Sequence, residues 1–207
     1  MDEEACERFF SLDKAGRRKE SKLAFRQFAD SFETAEQRDK WAREFLEKQE
    51  FFNRFDQFGI RVRQELFDEI LWPFLRPGVE QHEPPCLYWL AGLQQNLLVP
   101  SYRDYPADLS PICLLREALE VEPTSLPIRR ALLAKLIDLF HYADHEWPSG
   151  ILNGMDGANI DVLSEYERLI ELARSLDLGG SYADTLNDFA IHVQLYRQRS
   201  RAATKPR

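Results

Sequence analysis

The chain has 207 residues, of which 44% are hydrophobic and 30% charged, which is typical of a folded globular protein and excludes an intrinsically disordered one. No apolar run approaches the roughly 18 residues that span a bilayer, and the acidic start MDEEACERFF is unlike a secretory signal, so we expect a cytoplasmic protein without a membrane partner. Residues 64–190 hold 21 acids and 8 bases, and this acidic body disfavours nucleic acid and favours a basic protein partner.

Residues 1–78 predict a Phe-rich helical part. One amphipathic helix is indicated by apolar residues at helical spacing, which are Leu23, Phe25, Phe28 and Phe32. Thr34 followed by Gln37 is a capping-box pattern, so the next helix is expected to begin there. This helix is expected to continue to Gly59, because aromatic residues recur at helical spacing, at Trp41, Phe45, Phe52 and Phe55.

A third helix is predicted within IRVRQELFDEILWPFLRPG, with a kink before Pro73. Pro77 and Gly78 are expected to end this helix. The segment PGVEQHEPP follows and is rich in helix-breaking residues. The boundary between the two parts of the chain is therefore placed near residues 77–85.

Residues 79–198 predict an acidic part made of helical hairpins that pack on the first part. Its first expected helix is CLYWLAGLQQNLL. The next, LSPICLLREALE, has Ser110 as its cap and Pro111 at the favoured first position. The longest, IRRALLAKLIDLFHYADHEW, carries an apolar stripe formed by Ile128, Leu132, Leu136, Phe140 and Ala143.

Two further helices complete the predicted fold. Asn159 or Asp161 is expected to cap DVLSEYERLIELARSL, and SYADTLNDFAIHVQLYRQRSR follows an interruption at Gly179 and Gly180. Residues 199–207 are expected to form a basic flexible tail. The sequence therefore predicts an all-α bundle of about eight or nine helices with stacked helical hairpins.

The junction ICLLREALEVEPTSLPIRRALLAKL resembles the joint between successive tetratricopeptide repeats. Leu115, Ala118 and Pro123 match the residues that end one helix pair, while Leu98 and Tyr102 match the large residues of the preceding helix. The resemblance covers residues 95–136 and implies a stack of helical hairpins in the second part of the chain. An ordinary helical hairpin with a proline in its turn is the alternative.

Three cysteines and the missing catalytic motifs limit the chemistry of the chain. Cys6, Cys86 and Cys113 are far apart and form no C-x-x-C pair, so we expect buried thiols rather than disulfides or a zinc knuckle. The sequence also lacks the serine-elbow, phosphate-loop and dinucleotide-binding patterns. These observations predict that no catalytic residue and no cofactor are present.

A metal site at one helix end is the alternative to that interpretation. Asp138, His141 and His145 stand at i, i+3 and i+7, which places them on one helix face and suits a divalent transition metal. Tyr142 stands where H-E-x-x-H has its glutamate, so a zinc-protease helix is excluded. Histidines near a helix end also favour the helix dipole or contact a partner without binding a metal.

An aromatic and acidic set of residues predicts a protein-binding surface, because aromatic anchors among charges are typical of interfaces. The aromatic members are Trp89, Tyr102, Tyr105 and Trp147. The acidic members are Asp104, Glu117, Glu120, Glu122, Asp144 and Glu146. The alternative is that the tryptophans lie in the core and the tyrosines cover it.

The whole pattern resembles the bacterial immunity proteins that neutralise basic toxins, and WPSGILNG is similar to an L-P-x-x-Y-L-G-D stretch of uncharacterised bacterial helical proteins. The resemblance implies a non-enzymatic interaction module, either an immunity-type inhibitor or a regulatory adaptor, and the charge of the chain predicts a basic protein partner. Two alternatives stay open. One is a metal-dependent enzyme that uses the Asp/His cluster, and the other is a scaffold whose basic tail, YRQRSRAATKPR, contacts nucleic acid or an acidic protein.

Overall fold

The computed structural model describes residues 1–49, 62–103, 108–146, 151–152, 155–156 and 160–203, and within these it describes the side chains of residues 1–49, 62–100, 102, 108–146 and 163–198. The described chain is all-α. Its helices are α1 (Glu3–Lys14), α2 (Arg18–Asp30), α3 (Ala35–Glu47), α4 (Gln64–Leu66), α5 (Trp72–Glu80), α6 (Pro84–Gly92), α7 (Pro100–Arg103), α8 (Pro111–Val121), α9 (Leu126–Glu146), α10 (Ile160–Leu176) and α11 (Ala183–Ala203).

Nine of these described helices have nine or more residues, so the predicted all-α bundle of about nine helices is confirmed. A π-helical turn, Phe67–Leu71, joins α4 to α5, and a 3-10 helix spans Gln94–Leu98. Two short strands, β1 (Ile151–Leu152) and β2 (Met155–Asp156), pair antiparallel. The sequence predicted no strand in this connection.

The chain divides into two compact units, Met1–Glu122 and Pro123–Arg207. The boundary predicted near residues 77–85 lies inside the first unit, where α5 and α6 pack against each other across the turn that joins them. Breaker residues mark a turn, but a turn separates two units only when the flanking helices bury their apolar faces elsewhere.

In the first unit, α1 and α2 form a hairpin whose core includes Phe9 and Phe25, with ring centroids 5.3 Å apart. The predicted capping box at α3 is confirmed, because the backbone N–H of Gln37 donates to the Thr34 hydroxyl at 3.2 Å. The helix ends at Glu47, well before Gly59. Phe52 and Phe55 lie outside the described residues.

The helix is irregular directly before Pro73, where a kink was predicted, but it does not end at Pro77 and Gly78 as predicted. The π-helical turn lies directly before Pro73, which has no N–H to donate to the carbonyl of Glu69, so the hydrogen-bond pattern shifts at this point. Pro77 lies inside α5, which continues to Glu80. Prolines therefore mark the irregular hydrogen bonding of this segment but do not end it.

The rest of the first unit is built around α6 and α8, which pack extensively on each other. The predicted helix CLYWLAGLQQNLL is α-helical only to Gly92 and continues as the 3-10 segment. At α8 the predicted cap is confirmed, because the backbone N–H of Cys113 donates to Ser110 Oγ at 3.4 Å and Pro111 is the first helical residue.

In the second unit, α9, α10 and α11 enclose an aromatic core. Phe140 stacks on Phe189 with ring centroids 4.5 Å apart, and Tyr166 packs against both rings. The predicted stripe of α9 is confirmed, since all five of its residues are buried. Gly180 has a φ of +65° and lies within the turn region between α10 and α11.

The last helix of the chain covers the start of the predicted basic tail. Helix α11 runs to Ala203, so the first residues of the predicted flexible tail are helical, and residues 204–207 lie outside the described residues. Asp161 was a candidate cap of α10, but the helix begins one residue earlier, at Ile160. The other candidate, Asn159, lies outside the described residues. In the part of the chain that the structure describes, no helix has the length and apolarity needed to cross a bilayer.

Candidate functional site

The described acidic residues of the predicted surface in the first unit lie on α8 and at the residue that directly follows it, Glu122. Glu120 and Glu122 are exposed, and the Glu117 side chain is 35% exposed. Glu117, Glu120 and Val121 lie on one face of the helix, because residues three and four apart share a face. Val121, 55% exposed, places an apolar side chain among these carboxylates.

The turn between α5 and α6 meets α8 through His82. His82 Nδ1 contacts the Glu117 carboxylate, although 35 residues separate the two in sequence. Glu83 follows His82 directly and is itself exposed. We call Glu83, Glu117, Glu120 and Glu122 the acidic edge. Arg116 is the base carried by α8, so carboxylates outnumber cations along this edge.

The backbone of the turn fixes the position of His82. The His82 N–H donates to the Val79 carbonyl at 3.1 Å, and the Glu83 N–H donates to the Gly78 carbonyl at 2.8 Å. This pair of bonds is a Schellman motif, which satisfies the last carbonyls of α5. Its left-handed position holds His82, with a φ of +58°, where glycine is usual.

Trp89 was predicted to be a partner-binding residue, but it lies in the core of the first unit. It is 7% exposed, and its ring contacts Phe74 with centroids 6.2 Å apart. Because α6 is buried by α5 on one side and α8 on the other, its tryptophan has no exposed face to offer. Sequence spacing alone could not show whether this large amphipathic ring is an interface anchor or a core residue.

Tyr102 has a mixed environment. Its ring packs edge-on against Phe67 and Trp72, and its hydroxyl donates to Asp68 Oδ1 at 2.6 Å. Burial, together with this hydrogen bond and the nearby carboxylate charge, raises the pKa of Tyr102 far above its usual value. Tyr102 therefore remains a neutral hydrogen-bond donor that is fixed in place.

A polar network extends from Tyr102 into the unit. Gln64 Nε2 donates to Asp68 Oδ1 at 2.7 Å, and Asn96 Nδ2 donates to Gln64 Oε1 at 3.2 Å. Asn96 Nδ2 also donates to the Val62 carbonyl at 3.0 Å. Asn96 is 2% exposed, so this buried network anchors the 3-10 segment to α4. It also fixes Asp68, which accepts the hydrogen bond from the Tyr102 hydroxyl.

A cavity of about 390 Å³ opens beside this network at the start of α8. Among the described residues, its lining combines one carboxylate with apolar and polar neutral groups, and these residues are Gln94, Leu97, Leu98, Tyr102, Asp108, Leu109, Ser110 and Pro111. Asp108 is fixed by two donors: the Ser110 N–H at 2.8 Å and the Cys113 thiol at 3.1 Å. These hydrogen bonds, the thiol's first, hold the pKa of Asp108 below its usual value.

In the second unit, the acidic residues predicted to bind a partner contact histidines. His192 Nδ1 lies 2.5 Å from Asp144 Oδ1, and His145 Nδ1 lies 3.3 Å from Glu146 Oε1. Both carboxylates are therefore in contact with side chains of the second unit itself. Sequence analysis had not predicted either pair, and His192 is 48 residues from Asp144.

The predicted metal ligands are not gathered into a binding set. Among the described residues, no three His, Cys, Asp or Glu side chains are grouped so as to hold an ion, and Asp138, His141 and His145 are all described. A shared helix face brings residues at i, i+3 and i+7 into line over two turns, but this spacing alone does not bring their side chains to one point.

Three predicted partner-binding residues, Asp104, Tyr105 and Trp147, lie outside the described residues. Of the tail cations, Arg197 is engaged within the second unit, where it donates to Glu167 Oε2 at 2.9 Å.

Comparison with protein-family models, with curated proteins and with solved structures finds no match to this chain. The geometry of its own residues is therefore what supports a function.

Proposed function

We propose that this protein is a non-enzymatic interaction module that binds a basic protein through its acidic edge, as an immunity protein covers a basic toxin. The observation that carries the proposal is the arrangement of Glu83, Glu117, Glu120 and Glu122 along α8 and the adjoining turn. Exposed carboxylates concentrated on a rigid element attract a basic surface over distance and accelerate association.

The packing beneath the edge supports recognition as well as attraction. Helix α8 is held by buried Leu114, Leu115 and Ala118 against α6, so its exposed face is presented with little ordering cost. Val121 supplies apolar contact area within the charged surface. An apolar side chain with surrounding charges is a common arrangement at the centre and rim of a protein interface.

We further propose that the protein acts in the cytoplasm. The three cysteines are free, and Cys86 is buried beside the α5–α6 turn. Free thiols in a chain of this size are usual where the surroundings are reducing.

The test is affinity capture by the tagged full chain from the lysate of its source cells, at low and at high salt. We expect one basic protein to be bound near equal stoichiometry and released by salt. Glu120→Lys with Glu122→Lys should lose that protein. Glu7→Lys with Glu47→Lys, at exposed positions on α1 and α3, changes the net charge equally and should retain it.

Equal capture by both double variants would contradict the proposal. Binding would then depend on the total charge of the protein, or on neither the acidic edge nor the positions changed on α1 and α3. Capture that salt does not weaken would also contradict it, since the attraction between exposed charges is screened within about 10 Å at 0.1 M salt. Circular dichroism of each variant would establish that α-helical content is unchanged.

A further inference from the structure

The cavity at the start of α8 has the chemistry of a site for one cationic side chain. Leu97, Leu98 and Pro111 supply apolar walls, while Asp108 supplies a carboxylate. Asp108 is the charged group among the described lining residues. A ligand that fits such a lining has an aliphatic stem and a positively charged end.

Asp108 is oriented before any ligand arrives. The Ser110 N–H binds Oδ1 and the Cys113 thiol binds Oδ2, so the carboxylate cannot rotate freely. A carboxylate accepts about four hydrogen bonds, so these two donors from the described residues leave two acceptor positions. A planar guanidinium offers paired donors that match this geometry.

Arg116 is a cation near this cavity whose side chain the structure describes. Arg116 lies further along α8 and acts electrostatically on the Cys113 thiol, but it is not among the residues that line the cavity. The charge of Arg116 therefore acts near Cys113, and its side chain does not line the space beside Leu97 and Leu98. Asp108 is thus the charged group that the described lining residues present to a volume of about 390 Å³.

We propose that this cavity receives an arginine side chain of the basic protein partner, with its stem against Leu97, Leu98 and Pro111 and its guanidinium on Asp108. The inference rests on the proposed function and adds a specific anchor to it. Arginine is enriched among the residues that dominate binding energy at protein interfaces, because it combines apolar area with a fixed set of donors.

The experiment uses the full chain and two blocked tripeptides, N-acetyl-Gly-Arg-Gly-amide and its citrulline counterpart, titrated by NMR on ¹⁵N-labelled protein. Citrulline keeps the shape of arginine and removes its charge. We expect the arginine peptide to shift the amide signals of Gln94, Leu98 and Ser110, and the citrulline peptide to bind roughly tenfold more weakly. Equal shifts from both peptides would overturn the proposal.

Two variants locate the binding. Asp108→Asn should weaken the arginine peptide roughly tenfold and remove the preference over citrulline. Leu98→Ser, at a side chain that is 65% exposed and therefore tolerant of change, should weaken both peptides. Glu120→Lys with Glu122→Lys should leave the tripeptide affinity within about twofold, because these residues do not line the cavity.

The results separate this inference from the proposed function. If the tripeptides do not bind while capture of a basic protein still depends on Glu120 and Glu122, the cavity proposal is wrong and the interaction module stands. If the arginine peptide binds at Asp108 but no basic protein is captured, the module proposal is wrong and the cavity remains an arginine site without that partner.

Discussion

His82 contacts Glu117 through its side chain while its backbone occupies the left-handed position that ends α5. The two features are linked, because the left-handed conformation turns the chain from α5 toward α6 and places the imidazole against α8. A glycine at this position would satisfy the backbone but would leave Glu117 without its contact. The residue therefore serves both the turn and the arrangement of the acidic edge.

A matched pair of substitutions separates the backbone cost from the side-chain contact. Both His82→Ala and His82→Gly remove the contact with Glu117, but only alanine retains a Cβ in the left-handed region. We expect the glycine variant to be more stable than the alanine variant by about 1 kcal/mol. Urea unfolding of the two proteins measures this difference, and equal midpoints would show that the turn relaxes out of the left-handed conformation.

Gly78 is required by the close approach of α5 and α6. A Cβ added to Gly78 would lie 2.4 Å from Cys86 Sγ and 2.9 Å from Cys86 Cβ. We therefore expect Gly78→Ala to reduce the free energy of unfolding by about 1 to 3 kcal/mol, as overpacking commonly does.

Gly179→Ala is the control for that change. Its added Cβ would meet Ser181 Oγ at 3.6 Å, which is an ordinary contact, and its φ is outside the left-handed region. Thermal denaturation of both variants should show a lower melting temperature for Gly78→Ala only. A melting temperature for Gly78→Ala equal to that of the unchanged protein would mean that the two helices move apart at little cost.

Local features of this fold could be predicted from the sequence, because they depend on neighbours within one helical turn. Thr34 and Ser110 act as caps, and the buried stripe of α9 follows its 3.6-residue period. The end of α3 at Glu47 could not be read from aromatic spacing, since a period shows which face a helix would bury and not where packing ceases to support it.

The candidate site depended on contacts between distant residues. The acids of α8 were predicted from charge, but the contact of His82 with Glu117 spans 35 residues and has no sequence signal. Trp89 could not be assigned to surface or core before its contact with Phe74 was known. The cavity likewise depends on how the 3-10 segment lies against the start of α8, so that Tyr102 and Asp108 line the same cavity.

The cysteines are predicted to react slowly in the folded protein. Burial, helped by Glu7, raises the pKa of Cys6 to about 11, and burial with the charge of Glu83 raises the pKa of Cys86 to about 12. A free cysteine has a pKa of about 8.5, so at pH 8 the reactive thiolate of either residue is roughly a hundredfold or more scarcer.

Iodoacetamide labelling at pH 8, followed by peptide mass spectrometry, checks this expectation. Cys6 and Cys86 should remain largely unmodified in buffer and react fully in concentrated urea, where burial is lost. The same chain in urea is thus its own control. Modification of Cys86 at similar rates with and without urea would contradict the burial that the structure gives to this thiol.

Lys135 lies on α9 with 7% of its surface exposed. Burial lowers the pKa of Lys135, and the nearby Asp138 carboxylate opposes this effect without reversing it. The folded protein therefore binds this proton less readily than the unfolded chain does. The resulting penalty is fully present below the lowered pKa and disappears as the pH rises toward the unfolded value, so Lys135 should become less destabilising at alkaline pH.

Lys135→Met retains the aliphatic stem and removes the titration. We expect the unfolding free energy of the unchanged protein, relative to that of Lys135→Met, to rise in urea titrations as the pH increases through the lowered pKa toward the usual lysine value of about 10.4. Lys22→Met, at an exposed position of α2, controls for the loss of one positive charge. A difference that stays constant for Lys135→Met would mean that the ammonium is as well solvated or paired in the fold as in water, despite its burial.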